Sequence, residues 1–221
     1  AGFKGDLITF AWPSNDKALL YLEDRHDAKK TAIELVNSCI KLLAKQQGKN
    51  CTINIHLLAH STGAYIVHEA FIDAETVKAT AEVNWVVSQI LFIAGDVSAD
   101  SMTTQRAEAI YRHCNRLTNY FNPYDSILAI SNVKRVGAKN RAGRIGLPED
   151  SPSKGIDVNC GEYYNRNIGK LKVTDGAPSH SWYFYSDTWY ADAMSTIQGK
   201  LDREVIPTRV IDSAGELHLK P

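Results

Sequence analysis

Apolar and polar positions alternate along this chain in two distinct periods, and the switches between them predict its elements. Leu7-Ile8-Thr9-Phe10-Ala11-Trp12 is a short apolar run stopped by Pro13-Ser14-Asn15-Asp16, the pattern of a buried strand leaving into a polar loop. From Asp27 to Gln47, Ala28, Ala32, Ile33, Val36, Ile40, Leu43 and Ala44 recur three or four apart, which predicts an amphipathic helix ended at Gly48. Thr52 to Ala59 is rich in β-branched and apolar residues and reads as a strand, followed by a helical stretch from Thr62 to Ala79. Trp85 to Ala94 repeats the buried-strand pattern, Ser101 to Asn115 the helical one, and Arg116 to Phe121 makes a further strand that ends in the turn Asn122-Pro123-Tyr124-Asp125. After residue 130 the rhythm breaks. Residues 131–155 carry Gly137, Gly143, Gly146, Pro148, Pro152 and Gly155 among Lys and Arg and predict a long irregular loop, a lid, a binding loop or a solvated excursion. Ile156-Asp157-Val158 reads as the last central strand and Thr188 to Lys200 as a closing helix.

Strands alternating with helices of this length imply right-handed βαβ crossovers. The expected class is α/β, a mostly parallel sheet with helices on both faces, built as one domain over residues 1–221.

Charge narrows the partners. Lys+Arg and Asp+Glu stand at 25 each, so no basic field points to nucleic acid or to an anionic membrane surface. No apolar run reaches the length of a transmembrane segment, and Ala1-Gly2-Phe3-Lys4 does not begin a signal peptide. Cys39, Cys51, Cys114 and Cys160 lack C-x-x-C spacing, which argues against a zinc knuckle or redox dithiol and for free buried thiols over disulfides.

The chemistry concentrates at Ala59-His60-Ser61-Thr62-Gly63, where a strand turns sharply into a helix. A nucleophile elbow needs that setting: a strained turn lifts the serine hydroxyl clear of the sheet, and small residues on either side let helix and strand nearly touch. Ser61 is the expected nucleophile and the Thr62 amide, at the helix start, the expected oxyanion donor. The competing reading is a serine that merely caps the helix. His60 is adjacent to Ser61, so its ring points away; it is read as support for the elbow. The base must lie downstream of the elbow. His180 follows the last expected strand, whereas His113 reads as a partly exposed surface residue and His218 as part of a polar tail. Asp125, in the turn after the strand Arg116–Phe121, is the expected acid that fixes the base, with Asp96 the runner-up, Asp157 at the final strand, and Asp175 a turn residue. Trp12, Tyr65, Tyr124, Trp182 and Tyr183 are candidates for an apolar substrate pocket or for core packing.

Taken together, Phe10-Ala11-Trp12-Pro13-Ser14, Tyr21 and Asp24, the elbow, Gly95-Asp96-Val97, the Asp125 turn with Ser131 after it, Arg144-Ile145-Gly146 and His180-Ser181 resemble a lipase- or esterase-like bacterial branch of the α/β-hydrolase superfamily. The resemblance implies a Ser61, Asp125, His180 triad and hydrolysis of a small-molecule acyl ester, with no metal or organic cofactor. It also implies an earlier strand whose His-Gly type loop supplies a second oxyanion amide. Residues 1–9 lead straight into the Trp-Pro-Ser block instead. The N-terminal strands are therefore expected to be absent here and to come from a preceding segment or a second chain. The alternative is a non-catalytic interaction module on the same scaffold.

Overall fold

A computed structural model describes residues 3–11, 21–47, 53–133 and 140–221. Six strands form one sheet in the order β1-β2-β3-β4-β6-β5, where β1 is His56–His60, β2 Val87–Ile93, β3 Cys114–Phe121, β4 Gly155–Asn159, β5 Arg209–Ile211 and β6 Leu217–Leu219. All neighbours run parallel except the terminal pair β5–β6. β2, with Ile90 to Ile93 almost fully buried, is the near-continuous apolar run that a strand covered on both faces requires.

Helices cover the two faces. On one side lie α1 (Tyr21–Leu35), which passes through a π turn at Val36–Ile40 into α2 (Lys41–Gln47), then α3 (Thr62–Ala74) and the short α4 (Lys78–Ala81). The expected stripe Ala28, Ala32, Val36, Ile40, Leu43 and Ala44 is buried there, while Ile33 stands half exposed. On the other side α10 (Asp187–Gln198) packs Trp189 and Ala193 into a core with Tyr120, Trp182 and Tyr183. Of the pocket candidates, Trp182 and Tyr183 are thus core residues.

Several expectations are corrected. Residues 3–11 form no strand, and Leu7 and Ile8 are 85% and 86% exposed; Trp12-Pro13-Ser14 lies outside the described residues. Ser101–Asn115 holds only a 3-10 turn at Ala99–Met102 and α5 (Glu108–Arg112), because Thr103 and Thr104 divert the chain: Thr103 Oγ1 accepts the Arg106 amide and Thr104 N–H donates to Asp150. β4 is not the last strand, since β6 pairs parallel beside it and carries His218. Also unforeseen are α6 (Ser126–Val133), which runs into the expected irregular segment, and α8 (Gly161–Asn167).

Within 140–155 the chain turns inward rather than out. Arg141, Ala142 and Gly143 are buried, and α7 (Ala142–Ile145) lies across the ends of β2 and β3. Ala142 and Gly143 donate to the carbonyls of Val97 and Gly95, and the Gly143 carbonyl accepts from Asn122 N–H. Only glycine permits this approach, because a Cβ on Gly143 would stand 2.2 Å from the Gly95 nitrogen.

Cys39, Cys114 and Cys160 are free thiols, Cys39 exposed and the others buried; Cys51 lies outside the described residues. No helix of the described residues is long and apolar enough to cross a membrane.

Candidate active site

Ser61 joins β1 to α3 with φ 54° and ψ −123°, a backbone conformation that non-glycine residues rarely adopt and that costs about 1–3 kcal/mol. The neighbours hold it there. Ser61 N–H donates to Ile93 O at 3.0 Å, and the Ser61 carbonyl accepts from Asp96 N–H at 2.9 Å and Ala64 N–H at 3.1 Å. Ala94, at the matching end of β2, also has positive φ, 46°. Ala59, Gly63 and Ala64 are small and buried where helix and strand close on each other. The Ser61 side chain makes no capping hydrogen bond to α3, so the helix-cap reading of this serine finds no support. Thr62 opens α3, and the first amides of a helix have no carbonyl partner within it.

His180 sits on a single helical turn, α9 (Pro178–Ser181), rather than in a loop tip. Its Nδ1 lies 2.7 Å from Asp125 Oδ2, and both side chains are buried. An ionised carboxylate only accepts, so Nδ1 carries the proton and, in the neutral ring, Nε2 keeps its lone pair. The other Asp125 oxygen accepts Leu128 N–H at 2.9 Å, which fixes the carboxylate against α6. Asn122 Nδ2 donates to Ser179 O at 2.9 Å, and the hydroxyls of Ser126 and Ser179 meet at 2.7 Å. The turn that holds Asp125 is thereby laced to the helical turn that holds His180. Sequence reading missed Asn122, Ser126 and Ser179; the signal available for Asn122 was its place at the head of an Asn-Pro turn, where its side chain caps Tyr124 N–H.

The elbow meets this pair through His60. Its Nε2 lies 3.1 Å from His180 O, and the two rings are 4.6 Å apart. Among the described residues no hydrogen bond joins Ser61 Oγ to His180 Nε2, a contact that often tightens only when substrate is bound.

The other candidate side chains are engaged in contacts of their own. Asp96 forms a buried ion pair with Arg141 Nε at 2.9 Å, and Asp175 accepts an exposed hydrogen bond from Tyr185. His113 is no surface residue: it is buried, stacked on Trp85 at 3.8 Å and 2.7 Å from Glu75. Tyr65 is buried, and Tyr124 is 53% exposed, stacked on Tyr164. A cavity of about 770 Å³ lined by His56, Gln89 and Arg116 lies toward the N-terminal ends of β1–β3, away from Ser61; ligands of such sheets bind at the carboxyl ends.

Asp157 anchors the inward segment, accepting from Asn119 Nδ2 and Leu147 N–H, each at 2.7 Å. Burial pushes its carboxyl from 3.8 up to about 6, the two hydrogen bonds pulling the other way. The folded state therefore binds this proton more tightly than the unfolded chain, so the contribution to stability is complete below about pH 4 and is lost as pH rises through about 6, on the order of 3 kcal/mol. Urea midpoints of the parent should fall between pH 4.5 and 7 relative to those of Asp157→Asn; parallel profiles would refute this.

A mostly parallel sheet covered by helices, with a strained serine between a central strand and its helix, defines the α/β-hydrolase class. Residues 1–165 match the family described as "Alpha/beta hydrolase of unknown function (DUF900)", and the chain belongs to it. Ser61, Asp96 and Asp125 fall inside the matched range and His180 beyond it. An uncharacterized protein of Nostoc sp. is 38% identical over 60 residues, a stretch covering 27% of this chain and 15% of that protein. No solved structure matches.

Proposed function

We propose that this protein is a serine hydrolase cleaving carboxylic esters, or similar acyl bonds, of small molecules. The observation that supports the reading best is the buried 2.7 Å Asp125–His180 pair set against the strained Ser61 elbow. His180 Nε2 takes the Ser61 hydroxyl proton as Oγ attacks the carbonyl carbon; the tetrahedral intermediate expels the alcohol, which receives that proton from Nε2. Water then gives a proton to Nε2 and attacks the acyl-enzyme, the bond to Ser61 Oγ breaks as Oγ takes that proton back, and the carboxylic acid leaves and ionises in solvent. Asp125 stabilises the imidazolium in both halves. These steps use side-chain and backbone groups alone.

Thr62 N–H is the oxyanion donor in this reading, and one such donor is worth roughly 3–4 kcal/mol in the transition state. A second would come from a strand laid along β1 by a preceding segment or a second chain. In support, β1 ends the sheet order among the described residues and Leu58 on it is 49% exposed, unusual for a parallel strand.

A fluorophosphonate probe tests the assignment on the intact protein. Stoichiometric labelling that disappears in Ser61→Ala is expected. An unlabelled parent would sink the hydrolase reading in favour of a non-catalytic scaffold.

A further inference from the structure

We infer that His60 is a positioning residue that ties the strand carrying the nucleophile to the helical turn carrying the base. The inference rests on the proposed roles of Ser61 and His180. His60, beside the nucleophile, and His180 are 120 residues apart in the chain, and α9 is a single turn of four residues. Asp125 holds one edge of the His180 ring. His60 restrains the His180 main chain from the nucleophile's side: a carbonyl can only accept, so His60 Nε2 carries the proton and donates to His180 O at 3.1 Å. Phe184 closes on the His60 ring edge-on at 5.0 Å, so the imidazole is packed between the base and an aromatic ring.

The ionisable groups that face His60 are His180 and Asp125, and they oppose each other. Burial, then the neighbouring His180, push the His60 ring down to about 4; the hydrogen bond to His180 O and the Asp125 carboxylate only partly offset them. At neutral pH the ring is therefore uncharged. This matters for the chemistry, because His180 becomes an imidazolium when it takes the Ser61 proton, 4.6 Å from the His60 ring. A charged neighbour there would oppose that step. A neutral donor restrains the base without repelling the cation it becomes.

Two substitutions separate the donor from the ring. His60→Phe keeps an aromatic ring and loses the N–H; His60→Gln places an amide N–H near the position of Nε2. With p-nitrophenyl acetate as probe, His60→Phe should lower kcat by about 10- to 100-fold with KM within about twofold, and His60→Gln should stay within about threefold of the parent. Unchanged kcat in His60→Phe, or an equal loss in both variants, overturns the inference. The low-field resonance of the His180 Nδ1 proton gives a readout independent of turnover: it should persist in His60→Gln and broaden or vanish in His60→Phe, and an unchanged resonance in His60→Phe counts against the role. If the parent fails to label with fluorophosphonate, the hydrolase reading fails, while the resonance still decides whether His60 restrains His180.

Discussion

Asp125→Asn is expected to lower kcat by about 10⁴-fold while leaving the fold intact. The amide is nearly isosteric with the carboxylate, and its oxygen can still accept Leu128 N–H, which now binds Asp125 Oδ1 at 2.9 Å. Its nitrogen, however, would donate to His180 Nδ1 and drive the ring proton to Nε2. His180 would then face Ser61 as a donor and have no lone pair with which to take the hydroxyl proton. Asp96→Asn should behave differently, since its ion pair with Arg141 lies beside the elbow and its link to Ser61 is through the main chain. Its loss should fall on stability, leaving turnover per folded molecule within about tenfold of the parent. Steady-state ester hydrolysis, normalised to the folded fraction from circular dichroism, separates the two. Abolished turnover in Asp96→Asn together with an active Asp125→Asn would reverse the assignment.

Much of the candidate site's geometry was legible because its signals are local. The run through Leu58 and the helical period after Thr62 place Ser61 at a strand-to-helix junction, and its positive φ is the strain such a junction imposes. Asp125 was reachable from its position after β3, and the structure brings its carboxylate to His180. The misses are non-local. His113 looked like a surface residue because helical periodicity cannot show that a ring will stack on Trp85 and pair with Glu75, 38 residues away. Arg141 sits in a Gly- and Lys-rich stretch that reads as solvated loop, yet its charge is buried against Asp96 from another strand end. Leu7 and Ile8 failed for the opposite reason: an apolar run states that burial is favourable and not which surface provides it. β5 and β6 are three residues each, too short for alternation to register.

The hairpin of β5 and β6 is held by a device invisible to periodicity, and breaking it should give the largest loss of stability. Arg209 and Asp192 are both fully buried as side chains and paired at 2.7 Å. Tyr120 and Thr208 hydroxyls donate to Asp192 at 2.6 Å each, and Arg209 also donates to Thr196 Oγ1 at 2.6 Å and to Arg203 O at 2.9 Å. One network therefore joins β5 to α10 and β3. Burial alone would make the guanidinium easier to deprotonate, but Asp192 and Tyr120 outweigh it and hold Arg209 above its ordinary value. Arg209→Met removes the cation and leaves the carboxylate buried among hydroxyls, which should destabilise by about 3–5 kcal/mol. That is a large share of the roughly 5–15 kcal/mol that keeps a domain folded. Adding Asp192→Leu should recover much of the loss, since a buried pair replaced whole by apolar groups is often neutral. Urea unfolding would show both effects as shifts of midpoint at constant slope. A single-variant loss under about 1 kcal/mol would mean that water reaches the network. Because β5 ends the sheet opposite β1, Ser61 labelling of the folded single variant should match the parent, separating loss of the hairpin from loss of the site.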